Sequence, residues 1–118
     1  MGFKLVIANV VEFKVCLVDS NGGKTKEFPM TLFGRRLPQK ELVEAIAATR
    51  QEGWDVVGFV ADHITDWRGQ TLVVDDETGQ PLPFSDDAFA AMLSLGGAAA
   101  IIFHAYVDAN AIKGKAGN

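Results

Sequence analysis

Residues 11–18 alternate two sets of side chains, Val11, Phe13, Val15 and Leu17 against Glu12, Lys14, Cys16 and Val18. A period of two sends successive side chains to opposite faces of an extended strand, so one face is built for burial and the other mostly for water. Residues 19–23, Asp-Ser-Asn-Gly-Gly, tolerate turn conformations, and a second β-compatible run follows over 25–33. One antiparallel β-hairpin satisfies both runs. Pro29 has no N–H to give to a ladder, which predicts that the second strand is an edge strand or is bulged there. Residues 3–8 are candidates for a further short strand.

Beyond the hairpin the period changes. Pro38 suits a helix start, and Leu42, Val43, Ile46 and Ala47 predict an amphipathic helix over 39–51 that closes near Gly53. Val56, Val57, Val60, Ile64 and Trp67 recur at spacings of three and four, which predicts a second helix over 54–67. Periodicity then disappears over 68–83, where glycine, proline and aspartate mark a loop with a short extended piece at 71–74. Ser85 as N-cap, Asp86 and Asp87 at the positive end of the dipole, and the Phe84–Phe89 staple start a third helix. It ends at Gly96 and Gly97, and a last helix runs over 98–113 before a frayed tail at 114–118. The reading is a single α+β domain over 1–118, with a β-hairpin region at 1–37 and about four helices in 38–113.

Of the 118 residues, 48% are hydrophobic and 22% charged, a globular balance rather than a disordered one. The longest run free of polar residues, which includes 96–103, is far short of the roughly 20 needed to cross a bilayer. Asn9 and Glu12 interrupt the apolar N-terminal stretch, so no secretory signal is expected. Cys16 is the only cysteine, which rules out an intramolecular disulfide and predicts a small buried side chain in a cytoplasmic protein. A net charge of −4 disfavours nucleic acid and anionic membranes as partners. The one basic cluster, Lys24, Lys26, Arg35 and Arg36, is small and includes Glu27.

Catalytic chemistry finds little support. Asp62, His63, Asp66 and His104 are the available metal ligands, and Asp62 and Asp66 would share a helix face, but acids at that spacing are more often solvated. Two histidines with no nucleophile motif offer no triad, and Asn21 to Thr25 is too short for a phosphate loop. No catalytic residue, cofactor or metal is expected. A small enzyme using His63 with Asp62 or Asp66 is the weakest of the alternatives.

The last helix carries the most information. Alanine, isoleucine, phenylalanine, tyrosine and valine surround it almost completely, with His104, Asp108 and Asn110 as polar relief. In a small chain such a helix is expected to leave one face seeking a partner, with Ile101, Ile102, Phe103, Tyr106 and Val107 as contact residues. Alternatively its alanines let it pack tightly within its own domain.

Five stretches also resemble a known family. Thr31-Leu32-Phe33-Gly34-Arg35-Arg36-Leu37-Pro38-Gln39 follows the hairpin, Ile64-Thr65-Asp66-Trp67-Arg68-Gly69 precedes Asp75-Asp76-Glu77-Thr78-Gly79, and Pro81-Leu82-Pro83-Phe84-Ser85 leads to the final helix with Ala105-Tyr106. This order is similar to that of the tail assembly chaperones of long-tailed bacteriophages and prophages. The resemblance implies a non-enzymatic protein in the cytoplasm of the bacterial host, absent from the finished virion. Such a protein self-associates, coats the apolar tape measure protein and helps the tail tube protein assemble around it. The alternative is a structural subunit of the virion, a minor tail or head–tail connector protein.

Overall fold

In the computed structural model, which describes residues 2–115, the hairpin consists of β1 (Val10–Asn21) and β2 (Lys24–Arg35). Gly22 and Gly23 join them with φ of 61° and 80°, the paired left-handed conformation that a two-residue hairpin turn requires. Asn21 and Lys24 close the turn as a bonded pair, so odd-numbered β1 residues exchange hydrogen bonds with β2 and even-numbered ones do not. Cys16 opposite Pro29 is therefore a non-bonded pair, and the missing N–H of Pro29 points away from β1. On that side β2 pairs with β3 (Ile64–Arg68), which reaches only as far as Arg68 opposite Thr31. The sheet order is β1-β2-β3. The expectation of an edge or bulged second strand is thus corrected: β2 is central, and it tolerates Pro29 because β3 stops before it.

The third strand comes from an unexpected place. Residues 54–67 do not form one helix; α2 (Val56–His63) ends at His63, and Ile64 turns extended with ψ of 130° to begin β3. Gly34 faces Ile64 while Phe33 faces Asp66, which leaves Thr65 as an extra residue in the ladder. That bulge puts Ile64 and Trp67 on the same face, although an odd spacing would separate them in a regular strand. A strand with a bulge reproduces the three-residue spacing of a helix, which is why periodicity misassigned it. Residues 3–8, by contrast, belong to no strand.

The remaining elements are α1 (Gln39–Ala48), α3 (Asp86–Leu93) and α4 (Ala98–Asn110). The Ser85 hydroxyl accepts from the Ala88 N–H at 3.0 Å, and the Phe84 and Phe89 rings lie 5.4 Å apart, so the cap and staple form as their residues dictate. On α2 the cap is Asp55, which accepts from the Gly58 N–H at 3.0 Å; a Cβ on Gly58 would stand 2.4 Å from that carboxylate. Gly97 takes the left-handed conformation immediately before α4, while α3 is already capped at Ser94. α4 ends at Asn110 rather than Lys113, and of the expected tail, 116–118 lie outside the described residues.

The fold is α+β. Val11, Phe13, Val15 and Leu17 of β1, Met30 and Leu32 of β2, and Ile64 and Trp67 of β3 form the inner face of the sheet, with α4 packed against β1. The outer face carries Glu12, Lys14 and Arg68, and Glu12 and Arg68 meet across it at 3.2 Å. Both are exposed, so the pair adds little stability. Cys16 also lies on this outer face and is exposed, which corrects its expected burial; its even position in β1 decides this. Among the described residues no single helix is long and apolar enough to cross a membrane, and α3 and α4 meet at a bend of 110°.

Candidate protein-binding surface

Covering β1 with α4 requires short side chains at the contact. Ala98 and Ala99 are buried there beside Ile102, and Tyr106 lies further along the same face. On the other flank Phe103 meets Trp54 and Phe59 edge-on, with centroids 4.8 and 5.4 Å away. Ile102 and Tyr106 are 0% exposed and Phe103 is 3%. Of the five proposed contact residues, these three are core, so they are not surface that a partner could meet, and Val107 is half-buried. Ile101 alone is well exposed, at 47%, on a strip shared with Ala100, His104 and Asp108. The expectation of an uncovered terminal helix is corrected accordingly: a one-sided sheet gives α4 a roof, and its alanines let β1 come close.

Polar anchors hold the C-terminal half of α4. The buried Asn110 side chain accepts from the Leu37 N–H at 2.6 Å and donates to the Tyr106 carbonyl at 2.9 Å. Tyr106 in turn donates its hydroxyl to the Arg35 carbonyl. Burial is the main influence on this phenol and raises its pKa above the ordinary value of 10.0.

The motifs behind the family resemblance are structural. Gln70 is 2% exposed and fully bonded: its amide donates to the Val73 and Leu82 carbonyls, and its carbonyl accepts from the Leu72 and Val73 N–H groups. The Trp67 indole donates to the same Leu82 carbonyl at 3.1 Å. Asp75 accepts from the Glu77 and Thr78 N–H groups at 2.8 and 2.9 Å, which lowers its pKa, and the Gly79 N–H donates back to the Asp75 carbonyl. These bonds shape the passage from β3 to α3.

The titratable candidates do not converge. Asp62 ends up on α2 and Asp66 on β3 opposite Phe33, so they share no helix face. His63 donates Nδ1–H to the Phe59 carbonyl at 2.7 Å and stacks on the Phe59 ring at 4.0 Å, while His104 lies on the exposed strip of α4. No group of three or more metal-ligating side chains clusters among the described residues.

Exposed apolar surface is found instead at the two ends of α4. At its C-terminal end a groove of about 480 Å³ is lined by Leu5, Ile7, Leu37, Pro38, Leu42 and Ile112 together with Gln39 and Asn110. On α1, Leu42 and Ala45 face the core, whereas Val43 and Ile46 are exposed. At 100° per residue Val43 and Ile46 fall on either side of Gln39, so the flank of α1 that borders the groove is itself apolar. At the N-terminal end of α4 a smaller groove of about 270 Å³ is lined by Leu17, Asp19, Phe28, Leu72, Leu95 and Ile101. The apolar stripe of α1 was visible in the sequence, but the meeting of chain segments 5–9, 36–42 and 110–112 was not, because no local period encodes it.

The fold and its exposed surface together define an α+β domain with apolar grooves at both ends of its C-terminal helix. Compared with family models, curated proteins and solved structures, the chain matches none of them.

Proposed function

We propose that this protein is a tail assembly chaperone of a long-tailed bacteriophage or prophage. It binds the tape measure protein, keeps it soluble and promotes assembly of the tail tube protein around it in the host cytoplasm. The observation that carries this reading is the apolar flank of α1, Val43 and Ile46, beside the groove bounded by Leu5, Ile7 and Ile112. A tape measure helix exposes apolar stripes until the tube encloses it, and an amphipathic helix is held by laying such a stripe into a groove. Removing both surfaces from water supplies the drive, at about 25 cal/mol per Å² of apolar area. The net charge of −4 keeps the coated complex from aggregating.

Co-expression with the tape measure protein of the same phage tests this. The native chain retains the partner in the soluble fraction, and Val43→Asp with Ile46→Asp releases it to the pellet while circular dichroism stays unchanged. A double variant as effective as the native chain would sink the reading. Mass spectrometry of purified particles supplies a second check, because a chaperone is missing from them and a structural tail subunit is present.

A further inference from the structure

The basic cluster of the sequence, Lys24, Lys26, Arg35 and Arg36, is split by the fold. Lys24 and Arg35 are the first and last residues of β2, which at about 3.3 Å per residue puts them about 36 Å apart. Arg36 instead lines the groove at the C-terminal end of α4, where the chain around Leu5, Leu37 and Ala111 meets. Residues 4–9, 35–40 and 110–115 contribute Lys4, Arg35, Arg36, Lys40, Lys113 and Lys115, six of the 11 lysines and arginines, and none of the 15 acids. A chain of net charge −4 therefore has one strongly cationic end.

The fold does not neutralise these cations. Arg35 donates to the Asp62 carbonyl at 2.8 Å and Arg36 to the Ala8 carbonyl at 2.7 Å, both backbone oxygens rather than carboxylates. Among the described residues only Lys113 of the six has an acidic partner, Asp108 at 3.5 Å, and that pair is exposed. No acidic side chain lines the groove. At 100° per residue Glu41 and Glu44 fall about 160° and 140° around α1 from Gln39, which does line it, whereas Val43 and Ile46 fall about 40° and 20° away. The lining is apolar, and Lys4, Arg36 and Lys113 directly adjoin Leu5, Leu37 and Ile112 in the chain.

Such a surface selects by charge as well as by apolarity. An apolar stripe supplies the burial; aspartates or glutamates beside it meet cations, and lysines or arginines beside it meet like charge. An anionic bilayer offers the same charge, but its flat surface does not enter a groove, while a helix fits one and continues along Val43 and Ile46. We propose that the groove and the adjoining flank of α1 recognise a partner's amphipathic helix whose apolar stripe is bordered by aspartate and glutamate. This deepens the chaperone reading and rests on it for the identity of the partner, the tape measure protein, but not for the chemistry of the contact.

Fluorescence anisotropy on the full chain tests it with three synthetic helical peptides. All carry the same leucine stripe, and the residues bordering it are glutamate, glutamine or lysine. In low salt the glutamate peptide is expected to bind at least about tenfold more tightly than the glutamine peptide, and the lysine peptide more weakly still. Sodium chloride shrinks that advantage by screening the exposed charges. Lys40→Glu with Lys113→Glu, both at exposed positions, is expected to turn the preference toward the lysine peptide, an inversion that loss of folding cannot produce. A native chain that binds the three peptides equally, a double variant that keeps the native ranking, or tighter binding to phosphatidylglycerol vesicles than to the glutamate peptide each overturns the proposal. Peptides tiling the tape measure protein separate it from the chaperone reading. Bound segments without bordering acids refute the inference and leave the chaperone role standing; no bound segment, with the preference for the glutamate peptide intact, refutes the chaperone role and upholds the inference.

Discussion

Gly34 and Tyr106 share one space: a Cβ on Gly34 would stand 2.7 Å from the edge of the Tyr106 ring, and the Tyr106 hydroxyl donates to the carbonyl of the next residue, Arg35. The side chain of Ile64 and the carbonyl of His63 close the same space at 3.0 and 3.2 Å. The bulge between β2 and β3, the end of α2 and the middle of α4 therefore meet at a residue with no side chain. Gly34→Ala is expected to cost about 1–3 kcal/mol through overpacking, read as a lower urea midpoint. An unchanged midpoint would show that the ring can move aside.

Asn110→Leu keeps roughly the shape of the side chain and strands the buried Leu37 N–H. The expected loss is about 1–3 kcal/mol, the cost of an unmet buried donor, together with faster hydrogen exchange at Leu37. Retained protection of that amide would mean that another acceptor takes over.

Gln70→Leu removes all four bonds that brace the loop before α3. Limited proteolysis is expected to open within 71–83 while the sheet and α4 remain protected. Cleavage spread evenly over the chain would contradict a local role for Gln70.

Tyr106 is the only tyrosine, so its titration can be followed directly by ultraviolet absorbance. Its pKa is raised in the folded state, so the folded protein holds the phenolic proton where the unfolded chain has released it. The resulting stability is fully present below about pH 10, the unfolded value, and is lost as pH rises through the folded one. Tyr106→Phe is expected to flatten the fall in stability above about pH 10 relative to the native chain. Identical slopes for the two proteins would refute the linkage.

Adjacent isoleucines on α4 should respond oppositely. Ile102→Asp buries a carboxylate in the core and is expected to unfold the domain, whereas Ile101→Asp, at the surface, leaves its melting temperature nearly unchanged. Equal effects on thermal unfolding would contradict the assigned faces of the helix.

Local signals determined the parts of this fold that depend on neighbours in sequence. The alternation before Asn21, the two glycines with positive φ, the cap at Ser85 with its Phe84–Phe89 staple, and the apolar stripe of α1 are each legible because a strand, a turn, a cap and a helix are specified within a few residues. What the sequence alone left open was decided by residues far apart in the chain. β3 exists because β2 offers a free edge at residues 31–34, and its bulge hides the strand period from any local reading. The burial of Ile102, Phe103 and Tyr106 depends on β1 and α2 closing over α4, so apolar surface is left exposed instead on α1, on residues 3–7 and at the two grooves. Apolarity is a property of a side chain, but exposure is a property of what packs against it, and only the tertiary structure supplies that.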